Sequence, residues 1–290
     1  FHTYLNVGSV DDPGGQTGLA HMFEHMAFKG TSAIGTKNWV AEKAALAAVE
    51  RVYDRLEAER AKGNRADAKR LEALQMELAV AIEKADSFVE ENEYDRVVES
   101  NGGADMNAST AEDSTNYFYS FPSNRIELWF LLESSRFLDP VFREFYKERG
   151  VVMEERRLRN DDSPNGLLFE TFTSAAFRAH PYGVPTIGWG SDILSLTPAD
   201  TAAFFKTYYG PNNATIALVG DVNPKEVIAL IEQTFGKIPA AGAAPEIVTV
   251  EPEQRGERRV EVEFDAEPIV AIGYHKPALG HPDDDGFDVI

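Results

Sequence analysis

The chain has no cysteine. A disulfide framework, a thiolate nucleophile and a sulfur-ligated metal are all excluded, so any transition metal must sit on nitrogen and oxygen. Long apolar runs are missing too. The strongest, Ile126 to Leu132, is interrupted by Glu127 and falls far short of the roughly 20 residues a membrane-spanning helix needs. Positive charge is scarce: 28 Lys and Arg stand against 48 Asp and Glu, a formal net charge of −20. Nucleic acid is thereby excluded as a partner, because phosphate binding needs clustered positive charge. The acidic excess reads as a well-solvated surface rather than as a chamber for basic peptides. Internal repeats and low-complexity tracts are also absent. The 290 residues suffice for one large domain or two smaller ones. The sequence opens at Phe1 within a strand-like run and stops on the apolar Ile290, which reads as a trimmed piece of a longer protein. It carries no signal peptide that would fix a compartment; export to the periplasm is favoured over the cytoplasm.

What is present falls into distinct stretches. Residues 2–7 alternate like a strand and lead into the turn-rich Asp11-Asp12-Pro13-Gly14-Gly15. A helix is expected from Thr17 to Lys29, with Gly30 just past its end. Its apolar stripe is Leu19, Met22, Phe23 and Met26. Residues 41–96 turn rich in Ala, Glu, Lys, Arg and Leu. Ala45, Val49, Val52 and Leu56 repeat at helical spacing, as do Leu71, Leu74, Leu78, Ile82, Ala85 and Val89. That pattern predicts an antiparallel helical hairpin. Two short strands are expected at 104–110 and 115–121, then helices at 124–137, 141–160 and 165–177. Thr197-Pro198-Ala199-Asp200 and Asn223-Pro224-Lys225-Glu226 each look like a capped helix start, with a strand at 213–219 between them. Residues 239–257 are rich in Pro, Ala, Gly and Glu and read as a linker. Val260, Val262 and Phe264, then Ile269 to Tyr274, predict two further strands. The resulting division is a domain at 1–240 with the hairpin 41–96 inserted, a linker at 241–257, and the start of a second, similar domain at 258–290.

Residues 21–25 read His-Met-Phe-Glu-His. On a helix, positions i and i+4 point within about 40° of each other, so His21 and His25 can hold one metal ion. Glu24 lies beside them, where it can reach a water on that metal. The pattern is the H-E-x-x-H zinc-peptidase motif written in reverse. Three such polar groups on an otherwise apolar helix need partners, because each unsatisfied buried group costs about 1–3 kcal/mol. A catalytic zinc takes three protein ligands, so a third should face this helix from elsewhere. The acid-rich segment 141–160 offers Glu144, Glu148, Glu154 and Glu155. Glu148 and Glu155 are seven residues apart, on one helical face, with Val151 and Val152 turning that face to a core; Glu154 points about 100° away from Glu155. Spacing thus prefers Glu148 or Glu155 as the ligand and leaves the choice between them open.

The segment Gly18-Leu19-Ala20-His21-Met22-Phe23-Glu24-His25-Met26-Ala27-Phe28-Lys29-Gly30-Thr31 resembles the signature of the pitrilysin-type (insulinase-like, inverzincin) zinc metallopeptidases. Glu148-Arg149-Gly150-Val151-Val152-Met153-Glu154-Glu155 is similar to the second motif of that family. The resemblance implies Glu155 as the third zinc ligand and Glu148 as an outer support. Asn107-Ala108-Ser109-Thr110 resembles the edge strand against which such enzymes lay a peptide, with Asn107 and Ala108 as substrate-binding positions, and His180-Pro181-Tyr182-Gly183 resembles another family turn. An α+β fold is implied, an antiparallel or mixed sheet flanked by helices. So are one Zn2+ as cofactor, peptides or unfolded polypeptides as substrates, and a C-terminal half-domain or partner subunit that closes the chamber. The expected reaction is peptide hydrolysis with Glu24 as general base, weak in these 290 residues alone. The alternative is a non-catalytic partner subunit; such family members usually lose the zinc residues, which this chain keeps. One departure stands out: 130 residues separate His25 from Glu155, more than the family usually has, and the hairpin accounts for the excess.

Overall fold

The computed structural model of the chain describes residues 1–287. Its centre is a four-stranded antiparallel sheet made of β1 (His2–Leu5), β2 (Ala104–Thr110), β3 (Thr115–Ser120) and β4 (Ala214–Ala217). The spatial order is β2-β3-β1-β4, which leaves β2 as an edge with one row of backbone groups unpaired by the sheet. A tight turn joins β2 to β3, with the Ala111 amide donating to the Ser114 carbonyl. Alternation sends Thr3, Leu5, Tyr117 and Tyr119 inward, all nearly inaccessible.

The α-helices before residue 240 are α1 (Leu19–Met26), α2 (Trp39–Arg60), α3 (Ala68–Asp86), α4 (Glu93–Ser100), α5 (Ile126–Leu138), α6 (Phe145–Arg156), α7 (Pro164–Ala176), α8 (Gly190–Ser195), α9 (Pro198–Tyr208) and α10 (Pro224–Gln233). The main core gathers Leu5, Met22, Phe23 and Met26 with Trp129, Phe130, Val152, Ile193 and Phe204, so α1 is enclosed by sheet and helices together. A buried polar cluster crosses this core. Arg136 donates to the Tyr94 hydroxyl and, at 3.5 Å, to Glu133, which also accepts from Tyr119. Its guanidinium lies over the rings of Phe28, Tyr94 and Tyr117. The Glu133 carboxylate, the Tyr94 hydroxyl and the ring faces compensate the buried charge, although Arg136 Nε has no hydrogen-bond partner among the described residues.

The helical hairpin is narrower than 41–96. It consists of α2 and α3 packed against each other, with Ala45, Val49 and Ala85 at their seam. The chain leaves the helix at 87–92, where Val89 bridges to Thr36 and Lys37 donates to Phe88. Asn92 takes a left-handed conformation with φ of 52°, and α4 starts afresh as a separate helix. The expected helix 141–160 is also two pieces: α6 and a π-helical turn over Arg157–Asp161. Val151 is 46% exposed, whereas Val152 is fully buried, so only one of the two faces the core.

The strands expected at 260–264 and 269–274 are not formed. A strand needs a neighbour's backbone, and this segment has none within the described residues; Val270, Ile272 and Tyr274 are 85%, 78% and 88% exposed. The preceding stretch is anchored, not loose. Glu251 accepts the backbone amides of Arg178, Ala179 and His180, and Arg258 donates to the carbonyls of Ala175 and Ala176. Residues 288–290, the end of the expected second domain, lie outside the described residues. Among the described residues, no helix is long and apolar enough to cross a membrane.

Candidate metal centre

The position of α1 is fixed at its start. Asp12 accepts the Gly18 amide at 2.7 Å and the Ala20 amide at 2.8 Å, satisfying two of the donors a helix N-terminus leaves unpaired. Asp192 at the head of α8 accepts both the amide and the hydroxyl of Thr17. Gly18 is left-handed, with φ of 86°, and a Cβ there would meet the Ile187 carbonyl oxygen at 2.5 Å. Gly188 answers it: a Cβ would meet the Thr17 oxygen at 2.4 Å. Only glycine permits this approach of two backbones. The far end of α1 is secured by Arg143, fully buried and paired to Glu42 at 2.7 Å. Arg143 also donates to the carbonyls of Lys29, Thr31 and Ile34 in the loop after α1.

So held, α1 presents His21, Glu24 and His25 to α6. His25 Nε2 lies 3.4 Å from Glu155 Oε2, and His21 Nε2 lies 3.8 Å from the same oxygen. One ligand atom from each of the three falls within 4.8 Å of the others. Zinc bonds of about 2.0–2.2 Å to nitrogen and oxygen in a tetrahedron put ligand atoms roughly 3.3–3.5 Å apart, so this donor set fits the ion in its chemistry, and its separations of 3.4 and 3.8 Å from Glu155 lie close to that spacing. Glu148, two helical turns before Glu155, sits behind His25: its Oε2 is 3.4 Å from His25 Nδ1 and its Oε1 is 2.5 Å from Lys29 Nζ. Lys29 also reaches Glu144 at 3.1 Å. Arg159, on the π-helical turn, pairs with the other Glu155 oxygen at 2.7 Å. Glu154 points to solvent and pairs with Arg157. His21 has no such support: its Nδ1 is buried without a hydrogen-bond partner among the described residues.

The two imidazoles are shifted in opposite directions. Burial drives the His21 imidazole down to about 3, aided by the charges of His25 and Arg159, so its lone pair is free for a metal. For His25 burial also acts downward, but the Glu148 hydrogen bond and the charges of Glu155 and Glu24 outweigh it and raise the pKa. Burial likewise works against the Glu148 carboxylate, yet the bonds from His25 and Lys29 hold it at about 2. Burial raises Glu24 in spite of its hydrogen bond from Thr110.

These groups open into a cavity of about 560 Å³ whose walls include His21, Glu24, His25, Glu155, Asn107 and Ala108. The structure therefore brings every site residue read from the sequence to one cavity, with Glu148 in its wall as well. Ala108 carries a further detail: its amide donates to the side-chain oxygen of Asn107 at 2.8 Å. Asp12, Asp192 and Arg159 were not visible as site residues in the sequence, and Thr110 was read only as part of the edge strand. Each acts through a contact whose partner the local pattern does not reveal, although Asp12 lies in the turn-rich stretch before α1.

Comparison with known proteins shows the family of the chain. A family model described as insulinase, peptidase family M16, matches residues 2–53 and 82–189. A second, described as the peptidase M16 inactive domain, matches residues 195–290. The first breaks within the α2–α3 hairpin. The second includes β4, which in the structure pairs with β1. The chain is 31% identical over 290 residues to the zinc protease PqqE of Helicobacter pylori, an alignment covering 98% of this chain and 53% of that protein. The crystal structure of a protease from Helicobacter pylori superposes with a TM-score of 0.66 at 29% identity, over 88% of this chain and 49% of that one. The periplasmic protease PqqL from Escherichia coli shares the fold, with a TM-score of 0.61 at 22% identity, over 87% of this chain and 22% of that one. The chain thus spans about half the length of that Helicobacter pylori relative.

Proposed function

Because this chain belongs to the insulinase family of peptidases, family M16, we propose that it is the metal-bearing part of a zinc-dependent peptidase. His21, His25 and Glu155 hold the ion and Glu24 is the general base. The observation that carries this reading is the convergence of two imidazole nitrogens and one carboxylate oxygen within 4.8 Å, with the Glu24 carboxylate at the same cavity.

Zinc, when bound, supplies Lewis-acid polarisation of the scissile carbonyl and of the attacking water. The chain's own residues do the rest. Glu24 takes a proton from the water as its oxygen bonds to the peptide carbon. The same carboxyl then gives that proton to the departing amine nitrogen as the C–N bond breaks. A carboxyl raised by burial suits both halves of this transfer, since an acid–base group works best with a pKa near the working pH. The free edge of β2 receives the substrate as an added strand, which recognises backbone more than sequence. The Ala108 amide then exchanges its bond to the Asn107 side chain for one to the peptide. Peptides or unfolded polypeptides are the substrate class, because strand addition needs an extended chain. A further half, on the same chain or a partner, closes the cavity. The α2–α3 hairpin is an insertion beside the cavity. A periplasmic or otherwise exported location belongs to the same proposal and is checked by cell fractionation.

The test compares the full-length protein with this 290-residue chain on a library of unfolded peptides, with and without a chelator. Both should bind zinc, the full-length protein should cleave, and the shorter chain should cleave weakly. Glu24→Gln should keep its zinc and lose about 10²- to 10⁴-fold in kcat. Absence of zinc in both proteins, or full activity in Glu24→Gln, would overturn the reading.

A further inference from the structure

The Glu24 carboxylate is partly buried and lies on a long, rotatable side chain. Among the described residues it has one hydrogen-bond partner, the Thr110 hydroxyl, which donates to Oε2. It makes no ion pair with any described residue, and its other oxygen, Oε1, is left without a protein donor.

Thr110 is well suited to hold a neighbour still. It is the last residue of β2 and pairs with Thr115 where the strand turns into β3. Thr115 is itself fully buried, its hydroxyl bonded to the Val7 carbonyl. A β-branched side chain on such a strand has few rotamers. The same strand carries Asn107 and Ala108 on the cavity wall.

We propose that Thr110 is the positioning residue for Glu24: its hydroxyl fixes one carboxylate oxygen so that the other faces the reacting centre, at a distance set by the strand that also receives the substrate. This rests on the peptidase reading above and adds to it a role for a residue outside the zinc motif. Without the hydroxyl, Glu24 would be free to turn toward Arg159, whose positive charge already acts on it.

Thr110→Val keeps the shape and removes the donor; Thr110→Ser keeps the donor. In the zinc-loaded full-length protein, Thr110→Val should lower kcat about 10- to 100-fold with KM changed by no more than about twofold, and Thr110→Ser should stay within about threefold of the wild type. Zinc content and thermal midpoint should match the wild type in both. Crystal structures of the variants should show Glu24 displaced in Thr110→Val and in place in Thr110→Ser. Undiminished kcat with Glu24 unmoved in Thr110→Val would overturn the assignment. So would a loss accompanied by zinc release or unfolding, or one that serine does not restore. Should the wild-type protein show no chelator-sensitive cleavage, the peptidase reading fails by itself, and the position of Glu24 in the two variant structures decides the role of Thr110.

Discussion

Glu148 belongs to the proposed metal centre without being one of its ligands. It is bonded to His25 on one side and Lys29 on the other, and in the proposed site it would orient the ring and enrich it in electron density. Glu148→Gln should weaken zinc binding about 10- to 100-fold, as read by competition with a chelating dye. The pH dependence has a definite sign. Protons compete with the metal for His25, whose pKa lies above the ordinary 6.5, so affinity falls as pH drops through that raised value. Glu148 remains ionised down to about pH 2, so its own protonation is not the cause. Removing its charge lowers the His25 pKa, and the loss of affinity in Glu148→Gln should begin at a more acidic pH than in the wild type. An unshifted onset would show that Glu148 does not act on His25. At this scale the sequence was informative wherever spacing along one helix set the geometry: His21, Glu24 and His25 needed only the helical repeat. It could not separate Glu148 from Glu155 by spacing, because they share a face and differ only in height along α6. Contacts between remote segments, such as Thr110 with Glu24, left no local pattern at all.

Among the elements, α1 depends most on its surroundings, because its eight residues are too few to be stable alone. Asp12 is the chief anchor of its first turn. Asp12→Ala should cost about 1–2 kcal/mol of stability, measured by chemical denaturation. Burial raises Asp12 from 3.8 to about 7, against the pull of its bonds from Ala20 and Gly18. An acid whose folded pKa is raised stabilises the fold below its unfolded value and loses that contribution as pH rises through the folded one. The wild type should therefore lose thermal stability relative to Asp12→Asn as pH rises from 3.8 to about 7. A constant difference between the two proteins across that window would refute the assignment. The α2–α3 hairpin was legible because its seam repeats at helical spacing. The break before α4 was not, since Ser87 to Asn92 carries no proline or glycine and the turn is made by bonds to Lys37 and Gly35. The two strands expected beyond residue 258 show the converse error. Alternation signals a strand, but a ladder also requires a partner backbone, which local sequence cannot supply.

For the whole molecule, the fold follows from enclosing one short helix between an antiparallel sheet and a shell of helices. The sheet's exposed edge and the ligand-bearing face of α1 open into the same cavity. Absence of cysteine had already confined any zinc to histidine and carboxylate, and the three candidate ligands come from two helices separated in sequence by the hairpin. The central claim is that these three side chains form one zinc site. Its most direct measurement is the zinc content of the purified chain beside His25→Ala and Glu155→Ala, each shown by circular dichroism to be folded. One zinc per chain is expected in the wild type and none in either variant. A full equivalent of zinc retained in Glu155→Ala, or none in the wild type, would contradict it.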